Sequence, residues 1–344
     1  MSQKPKFSVF RADASPTIGA GHVMRCLTLA DALAEQGWRC AFVCNIGASG
    51  VVPSLAGSDH RIEELTEPDR PDALRRLWPE GCDLLIVDHY RLDAAFETAC
   101  RPWAECVLVI DDLADRPHDC DYLLDQTFGR QMGAYAGLVP AGCLILTGAK
   151  YALLRSQFAI ARQDALEKRT NDDSIRRILV SLGSTDPDNM TAMVLGGLSL
   201  VPVNYVTDVV LGSAAPHLDQ VQAIIARSQN VIDIHIDHRD MANLYKSADI
   251  AIGAAGSSTW ERCCVGLPSL MIATADNQLT IAAELHKAGA AMFLGKSDQI
   301  DAQLIADVIF KFIETPSILF EMRRKAAEIC DGLGTERMVS ILCP

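Results

Sequence analysis

The sequence predicts an α/β protein made of two Rossmann-like, doubly wound domains, each with a parallel sheet. Three observations predict this class: short strands that are apolar on both faces, helices that separate them, and the same alternation in both halves of the 344-residue chain. A chain of this length accommodates two domains. Paired open α/β domains usually enclose a ligand cleft, and ligands bind at the C-terminal ends of the strands.

The N-terminal domain is predicted to span residues 1–150. Its first helix follows the strand at 7–10, because Val23, Leu27 and Ala30 recur at helical spacing. The predicted strands are 7–10, 39–44, 84–87, 107–110, 122–124 and 143–147. The predicted helices are 22–36, 51–56, 71–78 and 93–104.

Residues 151–174 are predicted to be a linker region that is charged, helical in pattern and ends in a polar turn at 170–174. The C-terminal domain is predicted at 175–315, and a helical tail at 316–344. The predicted strands of this half are 177–181, 208–211, 231–235, 250–252, 269–272 and 291–294. The predicted helices are 187–198, 216–226, 241–247, 258–265, 278–288, 302–314 and 317–330.

The amino-acid composition limits which classes of partner the protein is expected to bind. At 49% hydrophobic and 22% charged residues, the chain has the make-up of a globular protein. The formal net charge of −13 argues against a nucleic-acid partner, because phosphate backbones are bound by basic faces. A small anionic ligand remains compatible, since loop amides and helix N-termini bind phosphate without surplus lysine or arginine.

The twelve cysteines include no C-x-x-C pair, which favours reduced, mostly buried thiols over a zinc or redox site. No secretory signal is recognised, and no apolar run reaches the roughly 18 residues that span a bilayer. We therefore expect a cytoplasmic protein with no membrane partner, no metal and no cofactor. The sequence makes no prediction of oligomeric state.

The first glycine loop is the leading candidate for a functional site. Gly19 and Gly21 follow the first strand, and His22 stands at the start of the first helix. Glycines permit a tight turn and close approach of a ligand, and a helix N-terminus presents unpaired N–H groups. Two further strand ends carry polar residues, 88–91 and 111–112. For the segment 88–90, either Asp88 hydrogen-bonds a neighbouring loop and Tyr90 packs, or His89 or Tyr90 lines the cleft.

Three loops of the second half could bind a ligand. Residues 183–185 suggest a cradle of backbone amides, beside Asp186 as a helix cap and Pro187 as a first helical residue. Residues 253–258 crowd small side chains at a strand end. Glu261 then either completes a capping box with Ser258 or accepts from ribose hydroxyls. At 275–278, Asp276 or Asn277 caps the next helix or orients a substrate.

Taken together, these motifs resemble those of the UDP-sugar hydrolases of pseudaminic acid biosynthesis. The matching segments, in chain order, are 11–15, 19–27, 88–90, 111–118, 152–155, 183–186 and 256–261. That family is similar to glycosyltransferases of the GT-B fold, including the lipid II-forming MurG type. It removes UDP from UDP-2,4-diacetamido-2,4,6-trideoxy-β-L-altrose. The resemblance implies a GT-B fold, with its two domains facing across a cleft, and this hydrolysis.

The resemblance also implies roles at matching positions. His22 matches the histidine thought to activate water. The residues implied to bind the sugar are Gly21, Tyr90 and Asn277. The residues implied to bind UDP are Gly183, Ser184, Ser257, Ser258 and Glu261.

A general-base role suits His22, because the positive end of a helix disfavours imidazolium and a neutral imidazole can accept a proton from water. Amides at 183–184 and 257–258 would hold the charge of the departing diphosphate. A capping or packing role is the alternative for His22. Two other functions stay open for the chain: a GT-B glycosyltransferase that uses a UDP-amino sugar, and a non-catalytic nucleotide-sugar-binding module.

Overall fold

The computed structural model describes residues 4–170 and 174–343. The chain divides into two compact units: unit 1 comprises Met1–Leu154 with Leu333–Pro344, and unit 2 comprises Arg155–Gly332. Each unit has one parallel sheet with helices packed against it, so the predicted fold class is confirmed.

Unit 1 has a seven-stranded sheet in the order β3-β2-β1-β4-β5-β6-β7, with every pairing parallel. Apolar cores cover both faces, and the core on one face includes the buried side of α1. The elements are β1 Phe7–Ala12, α1 Gly21–Glu35, β2 Arg39–Asn45, α2 Ala48–Val51, α3 Pro53–Ala56, β3 Arg61–Leu65, α4 Pro71–Leu77, β4 Cys82–Asp88, α5 Ala94–Cys100, β5 Ala104–Ile110, β6 Tyr122–Asp125 and β7 Leu144–Thr147.

Two predictions in unit 1 were wrong. Strand β3 was missed because it is an edge strand whose sequence, RIEEL, has none of the apolar continuity that marks the central strands. The single helix predicted at 51–56 is two short helices, α2 and α3. They are interrupted at Val52, which has φ −122° and precedes Pro53, and a residue before proline disfavours helical geometry.

Unit 2 has a six-stranded parallel sheet in the order β10-β9-β8-β11-β12-β13. One large apolar core includes side chains of strands and of α7 and α12. The elements are α6 Ser156–Thr170, β8 Arg177–Ser181, α7 Met190–Ser199, β9 Val206–Leu211, α8 Leu218–Arg227, β10 Val231–Ile236, α9 Met241–Ser247, β11 Ile250–Ala254, α10 Ser258–Cys264, β12 Ser269–Ala273, α11 Gln278–Lys287, β13 Met292–Lys296, α12 Ala302–Glu314 and α13 Ser317–Ile329.

The start of α7 differs from the prediction. The helix begins at Met190, not at Pro187, because Asn189, directly before it, takes a left-handed conformation with φ +53°. The Asp186 carboxylate nevertheless caps the helix: it accepts from the N–H groups of Met190 at 3.0 Å and Thr191 at 2.8 Å.

Most of the region predicted as a linker is helix α6, which packs against α9 and α10 of unit 2. The polar turn predicted at 170–174 falls largely on residues 171–173, outside the described residues. The predicted tail divides in two: α13 lies in unit 2, and a further helix, α14 Gly334–Leu342, returns to unit 1. There Met338 and Leu342 join the apolar core that also contains α1.

Across residues 4–170 and 174–343, no helix combines the length and the apolar character needed to cross a membrane.

Candidate functional site

The strand register of unit 1 explains why Asp88 faces helix α1. Asp88 ends β4 and lies beside Ala12 of β1 and Ile110 of β5, and both neighbours belong to the core that includes α1. Residues in register on parallel strands share a face of the sheet. His22 and Arg25 are three residues apart on α1 and so lie on one side of that helix. Helix and strand therefore bring three polar side chains together.

The contacts among these three residues are short and buried. His22 Nδ1 lies 2.5 Å from Asp88 Oδ1. Arg25 donates through Nε to Asp88 Oδ2 and through Nη2 to Oδ1, both at 2.6 Å. Because an ionised carboxylate only accepts, we assign the proton to His22 Nδ1, which leaves Nε2 as the proton acceptor of the ring.

The charges in this cluster balance one another. Burial alone would raise the pKa of Asp88, but the opposing charge of Arg25, together with His22, holds it below its ordinary value. For Arg25, burial would lower the pKa, and Asp88 instead holds it well above the ordinary value. The carboxylate charge is thus met by the guanidinium within the cluster.

Tyr90 and Asp112 extend the cluster. The Tyr90 ring packs edge-to-face on His22, with centroids 4.5 Å apart. Asp112 Oδ2 lies 3.2 Å from Arg25 Nη1 and 3.5 Å from the Tyr90 hydroxyl. The structure therefore places predicted residues His22 and Tyr90 in direct contact, with Gly21 as the first residue of α1.

Sequence reasoning did not name Arg25, Asp88 or Asp112 as site residues. Two signals could have found them: the three-residue spacing of His22 and Arg25, and the aspartates that directly follow or end two central strands. Of the two alternatives for the segment at 88–90, the hydrogen-bonding role of Asp88 is confirmed, but its partners are on α1 and not on a neighbouring loop.

The opposite face of the same sheet carries a second polar cluster. Arg11 donates to the carboxylates of Asp13 and Asp69, and His89 Nε2 lies 3.1 Å from Asp13 Oδ2. Ligand atoms of Asp13, Asp69 and His89 all lie within 4.8 Å of one another, a spacing compatible with a metal ion. The guanidinium of Arg11 already meets both carboxylates, so this cluster has a cation of its own. The absence of a metal stays a prediction.

In unit 2 the two glycine loops are neighbours, because β8 and β11 pair with Ser181 beside Gly253. Gly183 is exposed at φ +107°, a conformation that favours glycine. The carbonyl of Ser184 accepts from Gly212 N at 2.8 Å, which fixes this loop against the end of β9. Predicted residues Gly183 and Ser184 therefore lie at the same sheet edge as the loop before α10.

The capping box predicted before α10 is not formed. Ser257 occupies the N-cap position without a side-chain cap bond, and it is exposed. The Ser258 hydroxyl accepts from Arg262 Nη1 at 3.1 Å instead. The reason is that a buried arginine one turn along the helix reaches this hydroxyl, while the glutamate of the motif has other partners.

Glu261 pairs with Arg155, whose Nη2 lies 3.7 Å from Oε1. Burial raises the pKa of the Glu261 carboxyl above its ordinary value, and Arg155 and Arg262 oppose that rise. A carboxyl of this kind is still able to accept a hydrogen bond from a ligand hydroxyl, since its side chain keeps 19% of its surface exposed.

Asn277 is exposed at the N-cap position of α11, but its side chain makes no cap hydrogen bond. The predicted capping by Asp276 or Asn277 was wrong, because α11 has no side-chain cap bond at its N-cap position. Gln278 Oε1, at the first position of the helix, accepts from Thr274 N of the preceding loop at 3.0 Å. Asp276 instead pairs with Lys296 at 2.7 Å.

Two α/β units with parallel sheets, one with a histidine at a strand–helix turn and one with adjacent glycine loops, define a protein of the GT-B fold. The crystal structure of MurG from Acinetobacter baumannii has this fold: it superposes with a TM-score of 0.69 at 17% identity, over 98% of this chain and 99% of that one. Residues 177–333 match the model of the glycosyltransferase family 28 C-terminal domain.

Proteins of similar sequence confirm the resemblance that the motifs indicated. The UDP-2,4-diacetamido-2,4,6-trideoxy-β-L-altropyranose hydrolase of Campylobacter jejuni is 26% identical over 281 residues, which is 82% of this chain and 96% of that protein. The spore coat polysaccharide biosynthesis protein SpsG of Bacillus subtilis is 26% identical over 340 residues, 96% of each chain. The chain is therefore similar to GT-B enzymes that act on UDP-sugars.

Proposed function

We propose that this protein is a UDP-sugar hydrolase that releases UDP from UDP-2,4-diacetamido-2,4,6-trideoxy-β-L-altrose, a step in pseudaminic acid biosynthesis. The observation that carries the proposal is the His22 imidazole, whose Nδ1 is held by Asp88 and whose Nε2 is left as a proton acceptor. The similar hydrolase from Campylobacter jejuni supports the substrate.

In the proposed reaction, a water oxygen attacks the anomeric carbon while His22 Nε2 takes one of its protons. The bond between that carbon and the diphosphate oxygen breaks, and its electron pair leaves with UDP. Asp88 keeps the imidazole in one tautomer and stabilises the imidazolium that forms, as carboxylate partners of catalytic histidines do. Arg25 prevents Asp88 from taking the proton itself, because it holds that carboxylate ionised.

Unit 2 would bind the nucleotide in this proposal. Amides of the loop at Gly183 and Ser184, and the loop at Ser257 and Ser258, would hold the diphosphate and its developing charge. Glu261 would accept from a ribose hydroxyl, and Asn277, exposed at the start of α11, would contact the sugar. In unit 1, Gly21 and Tyr90 beside His22 are the proposed sugar contacts. Every step is assigned to groups of the protein, so the proposed reaction uses no metal.

The test is UDP release from a panel of UDP-diacetamido-trideoxy sugars with no acceptor present. We expect stoichiometric UDP and free reducing sugar from the altrose derivative, followed by a coupled UDP assay and by NMR of the sugar. Binding of UDP with no release from any member of the panel would reduce the protein to a nucleotide-sugar-binding module.

A glycosyltransferase is the second candidate, and the family 28 match over residues 177–333 favours it. In that reaction an acceptor hydroxyl takes the place of water at the same base. The two functions separate in one assay: UDP release that begins only when a carbohydrate or lipid-linked acceptor is added would support transfer and contradict hydrolysis.

A further inference from the structure

Arg262 of unit 2 is a buried cation with no carboxylate partner. Its side chain is 1% exposed. Nη2 donates to the Ala254 carbonyl at 2.8 Å and to Thr259 Oγ1 at 3.0 Å, and Nη1 donates to Ser258 Oγ at 3.1 Å. Nε has no hydrogen-bond partner in the part of the chain that the structure describes. All the acceptors in these bonds are neutral.

A charge in this position is unusual, because burying an ion is costly unless an opposite charge offsets it. The nearest acidic residue in sequence, Glu261, pairs with Arg155. Among the residues that the structure describes, Arg262 makes no ion pair, whereas buried Arg11 and Arg25 each bond to two aspartates. Arg262 attracts the Glu261 carboxylate at longer range, but among the described residues no carboxylate lies within ion-pair distance of its guanidinium.

The guanidinium lies against the paired ends of β8 and β11, from which both glycine loops leave. A Cβ on Gly253 would come within 2.8 Å of Arg262 Nη1 and 2.9 Å of the Ser181 carbonyl. Gly253 ends up beside Ser181 because β11 pairs with β8, and the chain leaves these two strands through the loops at 182–185 and 255–257. The absence of a side chain at Gly253 therefore allows the Arg262 guanidinium to lie close to the backbone at this edge of the sheet.

We propose that Arg262 is a positioning residue that supplies positive potential to an anionic ligand on these loops, without touching it. A bound diphosphate would offset the positive charge of Arg262. The hydrogen bonds of Arg262 also hold Ala254 and Ser258 in place. This inference rests on the proposed function in taking UDP as the natural ligand. It predicts that ligands gain affinity in proportion to their negative charge, and that the gain depends on the charge at position 262.

The test is a charge series of ligands, uridine, UMP, UDP and inorganic pyrophosphate, titrated calorimetrically into the full chain. The variants are Arg262→Met, Arg262→Gln and Arg262→Lys, with exposed Arg227→Met as the matched control in the same unit. We expect the wild-type protein and the control to bind UDP more tightly than UMP, and UMP more tightly than uridine. In the neutral variants, the ratio of UDP to uridine affinity should fall about tenfold or more, and Arg262→Lys should keep most of it.

The outcomes are distinguishable. Equal weakening of uridine and UDP in both neutral variants would show that Arg262 only pins the loop, and unchanged affinities would also overturn the inference. Wild-type binding of pyrophosphate without UDP would contradict the proposed function, while the pyrophosphate affinity of the variants still decides the role of Arg262. If the neutral variants unfold, Arg262→Lys and the salt dependence of wild-type pyrophosphate binding decide it: no dependence on salt would contradict a charge effect.

Discussion

The two candidate sites of this protein treat charge in opposite ways. In unit 1, Asp88 is bonded to His22 and Arg25, so the buried charges are matched inside the protein. In unit 2, the hydrogen bonds of buried Arg262 go only to neutral groups, and its guanidinium makes no ion pair with the described residues. A matched cluster suits a proton acceptor whose geometry must not change. An unmatched cation suits a site that is completed by an anion.

The sites also differ in what builds them. The unit 1 cluster sits on a helix and on the end of a central strand, where the register fixes each side chain. The unit 2 cluster is formed by loops that follow two paired strands. Regular elements hold a catalytic group more exactly than loops do, while loops bring many backbone amides to one ligand.

The largest expected effect comes from replacing His22, which tests the proposed catalytic role of the unit 1 cluster. His22→Asn or His22→Phe should lower turnover about 10²- to 10⁴-fold, the range that a positioned general base contributes, and leave UDP affinity unchanged. The measurement is kcat by UDP release, with UDP affinity by calorimetry. His60→Asn is the matched control, since His60 also faces an aspartate, Asp31, at 2.8 Å. Near-normal turnover of folded His22→Phe would contradict the role of His22 as the general base.

Asp88→Asn removes the carboxylate and keeps the shape. We expect turnover to fall by up to about 10⁴-fold, because the histidine loses the group that fixes its tautomer. The double variant with His22→Asn should be no slower than His22→Asn alone, since Asp88 acts through His22. Additive losses in kcat would show that Asp88 has a separate role, and Asp31→Asn provides the control.

The pH dependence of stability tests whether the unit 1 charges are matched. The pKa of Asp88 is lowered in the folded state, so its ion pair stabilises the fold above the ordinary carboxyl pKa and the stabilisation is lost as pH falls. Breaking a buried pair costs about 3 kcal/mol, so Asp88→Asn should lower the free energy of unfolding by about that much at pH 7. Urea unfolding between pH 3 and 7 should show the difference shrinking below about pH 4. A difference that is constant over this range would contradict the assignment.

The smallest expected effects come from the two serines of unit 2. Ser257→Ala should weaken UDP binding by a few-fold at unchanged stability, since this exposed hydroxyl makes no cap bond. Ser258→Ala should also lower the free energy of unfolding by about 1 kcal/mol, because it takes an acceptor from buried Arg262. Calorimetry and urea unfolding measure the two quantities. An equal free energy of unfolding for the two variants would contradict the prediction that only Ser258 supports buried Arg262.

The fold was largely readable from the sequence, because central parallel strands are buried on both faces and appear as continuous apolar runs. Edge strand β3 was not, since Glu63 and Glu64 lie where burial is partial. The resemblance named His22 and Tyr90, which are in contact. The pairing of Arg25 with Asp88 required the three-dimensional register, because the two residues are 63 positions apart in the sequence. The capping box predicted from Ser258 and Glu261 does not form for a local reason. Arg262, in the same helix, donates a hydrogen bond to the Ser258 hydroxyl.

Helix α14 has a consequence for the order in which the chain acquires its structure during synthesis. Met338 and Leu342 belong to the core that also holds the buried side of α1, and Thr335 Oγ1 bonds to the Leu154 carbonyl at 2.9 Å. All of unit 2, residues 155–332, is translated between α1 and α14. The helix that carries His22 therefore emerges early from the ribosome but gains its last packing partner only after unit 2 has been made, so unit 2 is complete first and unit 1 last.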